Sequence, residues 1–192
     1  SAASDVYKRQ YFDMVTDAPG AADKIVDELR FVQWSADEVA ALKESFVANL
    51  GDNTSNTLDS VVTAYGSDNN ISGYVMTITN SEAYGGSIQM SVGILVDGTV
   101  AGVEILSISE TPGLGMNAQS DSFLGQFTGV ATDEFAYTKT GKQADNEIDA
   151  ISSATYTTRS MTHGVNAALA AYRAMQKSSI LMGAMEGGAV NE

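Results

Sequence analysis

The sequence predicts an α+β fold, an antiparallel sheet with flanking helices. Between residues 58 and 109, apolar residues alternate with others in runs separated by turn-forming residues, the pattern of hairpin-connected strands. Two segments, 35–51 and about 157–177, instead carry apolar residues at helical spacing. The strands follow one another without an intervening helix, which argues against a doubly wound parallel sheet.

In chain order, "AADKIVDELR" (21–30) has helical spacing, and "SADEVAALKESFVANLG" (35–51) is a clear helix. Ser35 is its expected N-cap, Asp37 and Glu38 favour its first turn, and Gly51 marks its stop. Val39, Leu42, Phe46 and Leu50 would line one face. After the polar loop 51–57, "LDSVVTAYG" (58–66) and "GYVMTITN" (73–80) read as strands on either side of the turn-rich "SDNN". The strongest β signal is 85–109. There Ile88, Met90 and Val92 alternate, Asp97-Gly98 is a hairpin turn, and Val100, Val103, Ile105 and Ile108 resume beyond it. "ETPGLGMNA" (110–118) breaks the strand, 120–127 is a short helix and 134–139 a strand. Met161, Val165, Ala168, Leu169, Tyr172 and Met175 form the buried stripe of the last helix. A loosely held tail is expected after Ser178, and the methionines are expected to fill the core.

Composition narrows the function. Hydrophobic residues make up 44% of the 192 residues, enough for a packed core in one domain with an N-terminal extension. The net charge of −14 opposes nucleic acid and anionic lipid surfaces. With no cysteine, the chain cannot form disulfides, thiolate nucleophiles or cysteine-held iron–sulfur clusters, and c-type haem attachment is also excluded. The single histidine, His163, argues against a zinc site, and "DNNISGY" lacks the full acidic pattern of a calcium loop. The chain therefore needs an imported cofactor or is not catalytic. No apolar run reaches a membrane span and no signal peptide is visible. "DVYKRQ" (5–10), however, is what a transposase adapter used in sequencing libraries encodes. Residues 1–10 are therefore expected to be a non-native leader on a truncated reading frame.

Two loops carry the chemical signal. "DAISSATYTTRS" (149–160) sets seven hydroxyls and Arg159 at the start of the last helix. A helix N-terminus offers free N–H groups and partial positive charge, so it favours phosphate. Ser152, Ser153 and Ala154 would let a ligand approach closely, and Arg159 could add a charge-assisted contact. Taken alone, the cluster reads better as an over-supplied helix cap. In "ETPGLG" (110–115), Pro112 stiffens a turn, while Gly113 and Gly115 free the backbone to approach a planar ligand and Leu114 could lie against a ring. Taken alone, this is an ordinary turn after a long strand.

Together and in this order, the two loops resemble the FMN-binding domain of the G subunit of the Rnf electron-transport complex. The C subunit of the sodium-pumping NADH:quinone reductase shares that domain. "SETPGLGMNA" (109–118) looks like the first family signature, and "DAISSATYTT" (149–158) like the flavinylation motif Asp-x-x-Ser/Thr-Gly-Ala-Thr/Ser. "GVNAALAAYR" (164–173) is similar to the helix that follows. Asp149, Ser152, Ala154 and Thr155 match the motif. It departs once: Ser153 stands where the family usually has Gly, and Ser tolerates positive φ less well.

The resemblance, over roughly residues 70–176, implies covalent FMN, esterified through its phosphate to Thr155 by a separate flavin transferase that uses FAD and recognises Asp149. The recipient chain then needs no base of its own. Glu110, Thr111, Gly113, Leu114 and Gly115 would meet the ring, and Ser152, Ser153, Ala154, Thr157 and Arg159 the phosphate end. The resemblance also implies an electron carrier on the extracytoplasmic face of the cell membrane. Its partners would be the other subunits of a complex coupling electron flow between ferredoxin and NAD to ion movement. The expected organisation is a leader (1–10), an N-terminal helical region (11–57), an FMN-binding domain (58–177) and a flexible tail (178–192). A stand-alone flavin-dependent reductase and a non-redox binding module remain the alternatives.

Overall fold

The computed structural model describes residues 30–49 and 55–188. The expected leader and nearly all of the 21–30 helix lie outside these residues, as does Leu50. The first described element is β1 (Arg30–Gln33), followed by α1 (Ala36–Asn49), β2 (Asn56–Tyr65), β3 (Ile71–Ala83), β4 (Gly86–Leu95) and β5 (Val100–Ser107). A 3₁₀ turn (Gly115–Gln119), α2 (Asp121–Leu124), β6 (Ala136–Thr138), β7 (Glu147–Asp149) and α3 (Thr155–Gly188) complete the chain.

The five strands β1 to β5 form one antiparallel sheet in sequence order, the meander that hairpin connections dictate. Ile88, Met90, Val92 and Ile94 of β4 are fully buried and join Leu58, Val61, Met76, Ile78, Val100 and Val103 on the face that α1 and α3 cover. The helices contribute Val39, Leu42 and Phe46 from α1, and the whole expected stripe from Met161 to Met175 from α3. A smaller cluster of Val62, Ala64 and Val75 lies apart from this core. At Asp97-Gly98 the turn closes as the sequence suggests: Gly98 takes φ +92° and Asp97 Oδ1 accepts from the Thr99 N–H.

Helix α1 begins with a capping box. Ser35 Oγ accepts from the Glu38 N–H at 3.2 Å, and Glu38 Oε1 accepts from the Ser35 N–H at 3.3 Å. Ser35→Ala is expected to cost about 1 kcal/mol, read as a lower denaturant midpoint with an unchanged slope.

Three expectations are corrected. Residues 30–33 are not helical: they pair antiparallel with 62–65 as an edge strand. The pairing of β6 with β7 is parallel, in a separate two-stranded sheet. The last helix starts at Thr155 and runs on to Gly188, so the segment expected to be a tail is helical through that residue.

The meander places the site. In an antiparallel sheet, the ends of β3 and β5 fall at the same edge, together with the β3–β4 hairpin turn. Helix α3 begins at this edge, where Ser160 Oγ donates to the buried Asn80 Oδ1 at 2.7 Å and His163 Nδ1 lies 2.6 Å from Glu82 Oε2. It continues towards the β4–β5 turn, where the Tyr172 hydroxyl donates to the Val96 carbonyl at 2.7 Å. Burial raises the Tyr172 pKa above its ordinary value, which keeps the phenol a neutral donor. His163 is thus a partnered side chain, and among the described residues no cluster of His, Asp and Glu could hold a metal.

Candidate functional site: a cleft where two loops meet

Both sequence signals fold as the same local device, a tight turn leading into a helix. In the first, the Leu114 N–H closes on the Thr111 carbonyl at 3.1 Å. Pro112 takes the second position and Gly113, at φ +74°, the third, the arrangement of a type II turn. The 3₁₀ turn follows at once. In the second, the Ala154 N–H closes on the Ile151 carbonyl at 3.0 Å, Ser153 holds the third position at φ +60°, and α3 follows. Ser153, the one departure from the motif that the sequence resembles, is therefore left-handed. That conformation costs an L-residue about 1 kcal/mol.

The two devices face each other across one cleft of about 250 Å³. Glu110, Thr111, Leu114 and Gly115 line it from the first loop, and Ser153, Ala154, Thr155, Tyr156 and Thr157 from the second, with Tyr84 added from the β3–β4 turn. The approach is tight: a Cβ on Gly115 would lie 2.7 Å from both Glu110 Cβ and Thr157 Oγ1. Glu110 Oε1 accepts a hydrogen bond from Thr157 Oγ1 at 2.6 Å, and Glu110 Oε2 accepts from the Gly85 N–H.

The hydroxyls do not act as an over-supplied cap. The residue preceding α3 is Ala154, which has no capping oxygen; its carbonyl accepts the first helical bond, from the Thr158 N–H at 3.1 Å. Thr158 is buried, donating to the Ala154 carbonyl and accepting from the Ile151 N–H, both at 3.0 Å. Thr157 is buried and bonded to Glu110. Thr155 is partly exposed on the cleft wall, and its hydroxyl has no hydrogen-bond partner among the described residues. The backbone N–H groups of Thr155, Tyr156 and Thr157 are also unpaired among those residues. Free donors at the positive end of a helix favour a negatively charged group there.

Four expected site residues stand apart from the cleft wall. Gly113 serves its turn, with open space where a Cβ would be. Ser152 is exposed. Arg159 does not reach into the cleft: its guanidinium lies over the Tyr156 ring, 4.9 Å from the centroid, and its Nε is buried without a partner. Asp149 ends β7, where its carboxylate accepts from the Lys142 N–H at 2.6 Å. In the other direction, sequence reasoning passed over Tyr84 and Tyr156, which are 79% and 56% exposed yet wall the cleft. "AYGG" (83–86), an aromatic followed by two glycines between strand-like runs, was the available signal.

The cleft combines free backbone N–H donors at one end with an apolar lip of Tyr84, Leu114 and Tyr156. Residues 83–170, which span both loops, match the model of the FMN-binding domain family. Among curated proteins, the G subunit of the Na(+)-translocating ferredoxin:NAD(+) oxidoreductase complex of Acetobacterium woodii is 37% identical, over 58% of this chain and 54% of its own length. The G subunit of the proton-translocating complex of Clostridium ljungdahlii is 42% identical, over 46% of this chain and 48% of its own length. The chain thus spans about half the length of these curated relatives. Among solved structures, the NqrC of Shewanella oneidensis matches with a TM-score of 0.54 at 16% identity, covering 84% of this chain and 89% of that one. This last likeness concerns the fold alone.

Proposed function

We infer that this domain is an electron carrier holding FMN covalently through a phosphoester at Thr155. The observation that carries the reading is the free Thr155 hydroxyl beside the unpaired N–H groups at the start of α3, in the cleft where both motifs converge.

Among the described residues Thr157 Oγ1 is a donor to Glu110 and His163 is partnered by Glu82, so neither activates Thr155, and attachment calls for an outside enzyme. A flavin transferase with FAD as donor meets this need. Thr155 Oγ forms a bond to the phosphorus of the FMN half and the pyrophosphate P–O bond breaks. AMP leaves, and the hydroxyl proton passes to a base of the transferase. The N–H groups of Thr155, Tyr156 and Thr157 would hold the phosphate. Asp149, exposed beside the motif, is available as the transferase's recognition residue, and Arg159 holds Tyr156 in the cleft wall.

When bound, the flavin supplies the redox chemistry; the protein positions it and shapes its surroundings. Leu114, Tyr84 and Tyr156 offer apolar and aromatic surface to the isoalloxazine. A cleft of about 250 Å³ lies below the range of roughly 300–1,000 Å³ usual for sites that enclose a ligand.

The curated relatives are subunits of ion-translocating ferredoxin:NAD(+) oxidoreductase complexes. We place this domain in such a complex, on the extracytoplasmic side of the cell membrane, relaying electrons between neighbouring subunits. Among the described residues no helix is long and apolar enough to cross a membrane.

Purification after co-expression with a flavin transferase tests the reading. Yellow colour retained by the chain in denaturant supports it; colourless protein, or flavin released on denaturation, refutes it. A graded test uses the strained turn. Ser153→Gly is expected to raise the flavinylated fraction when the transferase is limiting, and to stabilise the chain by about 1 kcal/mol. Equal occupancy by intact mass, with an unchanged unfolding midpoint, would show that the left-handed serine has no consequence.

A further inference from the structure

We propose that Glu110 is a positioning residue that latches the cleft into shape before any cofactor arrives. Its two carboxylate oxygens join three separate segments. Oε2 accepts from the Gly85 N–H of the β3–β4 turn, beside Tyr84 in the cleft wall. Oε1 accepts from Thr157 Oγ1, in the first turn of α3 and two residues beyond Thr155. The residue itself begins the 110–115 loop. Each carboxylate oxygen already accepts from a protein donor on a different segment, so Glu110 ties the walls together.

Glycines on either side keep the latch's space open. A Cβ on Gly85 would overlap the Ser109 carbonyl oxygen and Glu110 Oε2. A Cβ on Gly115 would sit 2.7 Å from Glu110 Cβ and from Thr157 Oγ1. The hairpin turn, the signature loop and the helix start therefore fit together only around this side chain. The consequence concerns maturation and rests on the reading of Thr155 as acceptor. With the helix start anchored, Thr155 Oγ meets the transferase in one orientation; without the latch, the same hydroxyl is still present but wanders.

The test uses the full chain in two forms. In the cofactor-free protein, hydrogen exchange of the Gly85 amide reads the latch directly. Glu110→Ala is expected to speed it roughly tenfold or more. Glu110→Gln keeps an acceptor for Gly85 and a polar partner for Thr157, and is expected to stay close to the parent. With transferase and FAD, the initial rate of flavin attachment should fall about tenfold for Glu110→Ala, recover in Glu110→Gln, and fall for Thr157→Val, which deletes one hydroxyl and keeps the shape. If Glu110→Ala does not fold, Thr157→Val and Glu110→Gln carry both readouts. Parental exchange at Gly85 together with parental attachment rates in the truncated variants would overturn the proposal. Should the parent chain accept no flavin at all, the acceptor reading fails, while the exchange measurement still decides the latch.

Discussion

Thr155→Ala is expected to abolish covalent flavin and leave the fold intact. The expectation follows from how differently the neighbouring hydroxyls are used. Successive helical residues point about 100° apart, so residues 155, 157 and 158 face three directions. Thr158 faces inwards and spends its hydroxyl on the Ala154 carbonyl and the Ile151 N–H. Thr157 turns to Glu110. Thr155 faces the cleft with no partner among the described residues. Removing its hydroxyl leaves no buried group unsatisfied, and alanine is well suited to a helix, so stability should change by less than about 0.5 kcal/mol. After co-expression with a transferase, in-gel flavin fluorescence in denaturant should be present in the parent and absent in the variant. Fluorescence that survives the substitution would place the ester on another hydroxyl.

Gly115→Val should have the second largest effect, and the structure changes the reason. From sequence, a side chain at Gly115 would crowd the isoalloxazine. In the folded chain it first meets protein, because its Cβ would fall 2.7 Å from both Glu110 Cβ and Thr157 Oγ1. Neither neighbour can retreat without losing the bond that joins them. A cost of about 1–3 kcal/mol is expected, with the first loop pushed off the helix start. Because the phosphoester forms at Thr155, flavin should still attach, though more slowly where the Glu110–Thr157 bond is lost. Its absorption fine structure should blur, its fluorescence should rise towards that of free FMN, and its reduction potential should shift. A folded variant with parental spectrum and potential would mean that the 110–115 loop does not touch the ring.

The sequence showed most where a signal is local. Ile88, Met90 and Val92 fall on one face because side chains alternate along any strand, and all three are buried. Ser35 with Glu38 three residues on, and Pro112-Gly113, specify a cap and a turn through their own chemistry. Strand β1 gave no such signal. It is four residues long, largely exposed, and extended because β2 offers it a partner. Strand β6 falls within the expected 134–139 strand, whereas β7, three residues long, is too short to show a period. Helix α3 runs past the glycines near its end because glycine only weakens a helix interior. At the site, the two loops and nine of the cleft's ten lining residues lay in the quoted motifs. What was hidden is tertiary: Tyr84 arrives from a turn distant in sequence, and Arg159 is drawn onto the Tyr156 ring and away from the cleft.

The measurement that bears most directly on the central claim is peptide mapping by mass spectrometry of the chain matured with a flavin transferase. The account predicts that the peptide containing residues 149–158 gains the mass of FMN less one water, with fragmentation placing the addition on Thr155. A peptide of unmodified mass from a chain that nevertheless binds flavin, or an addition at another residue, would contradict it.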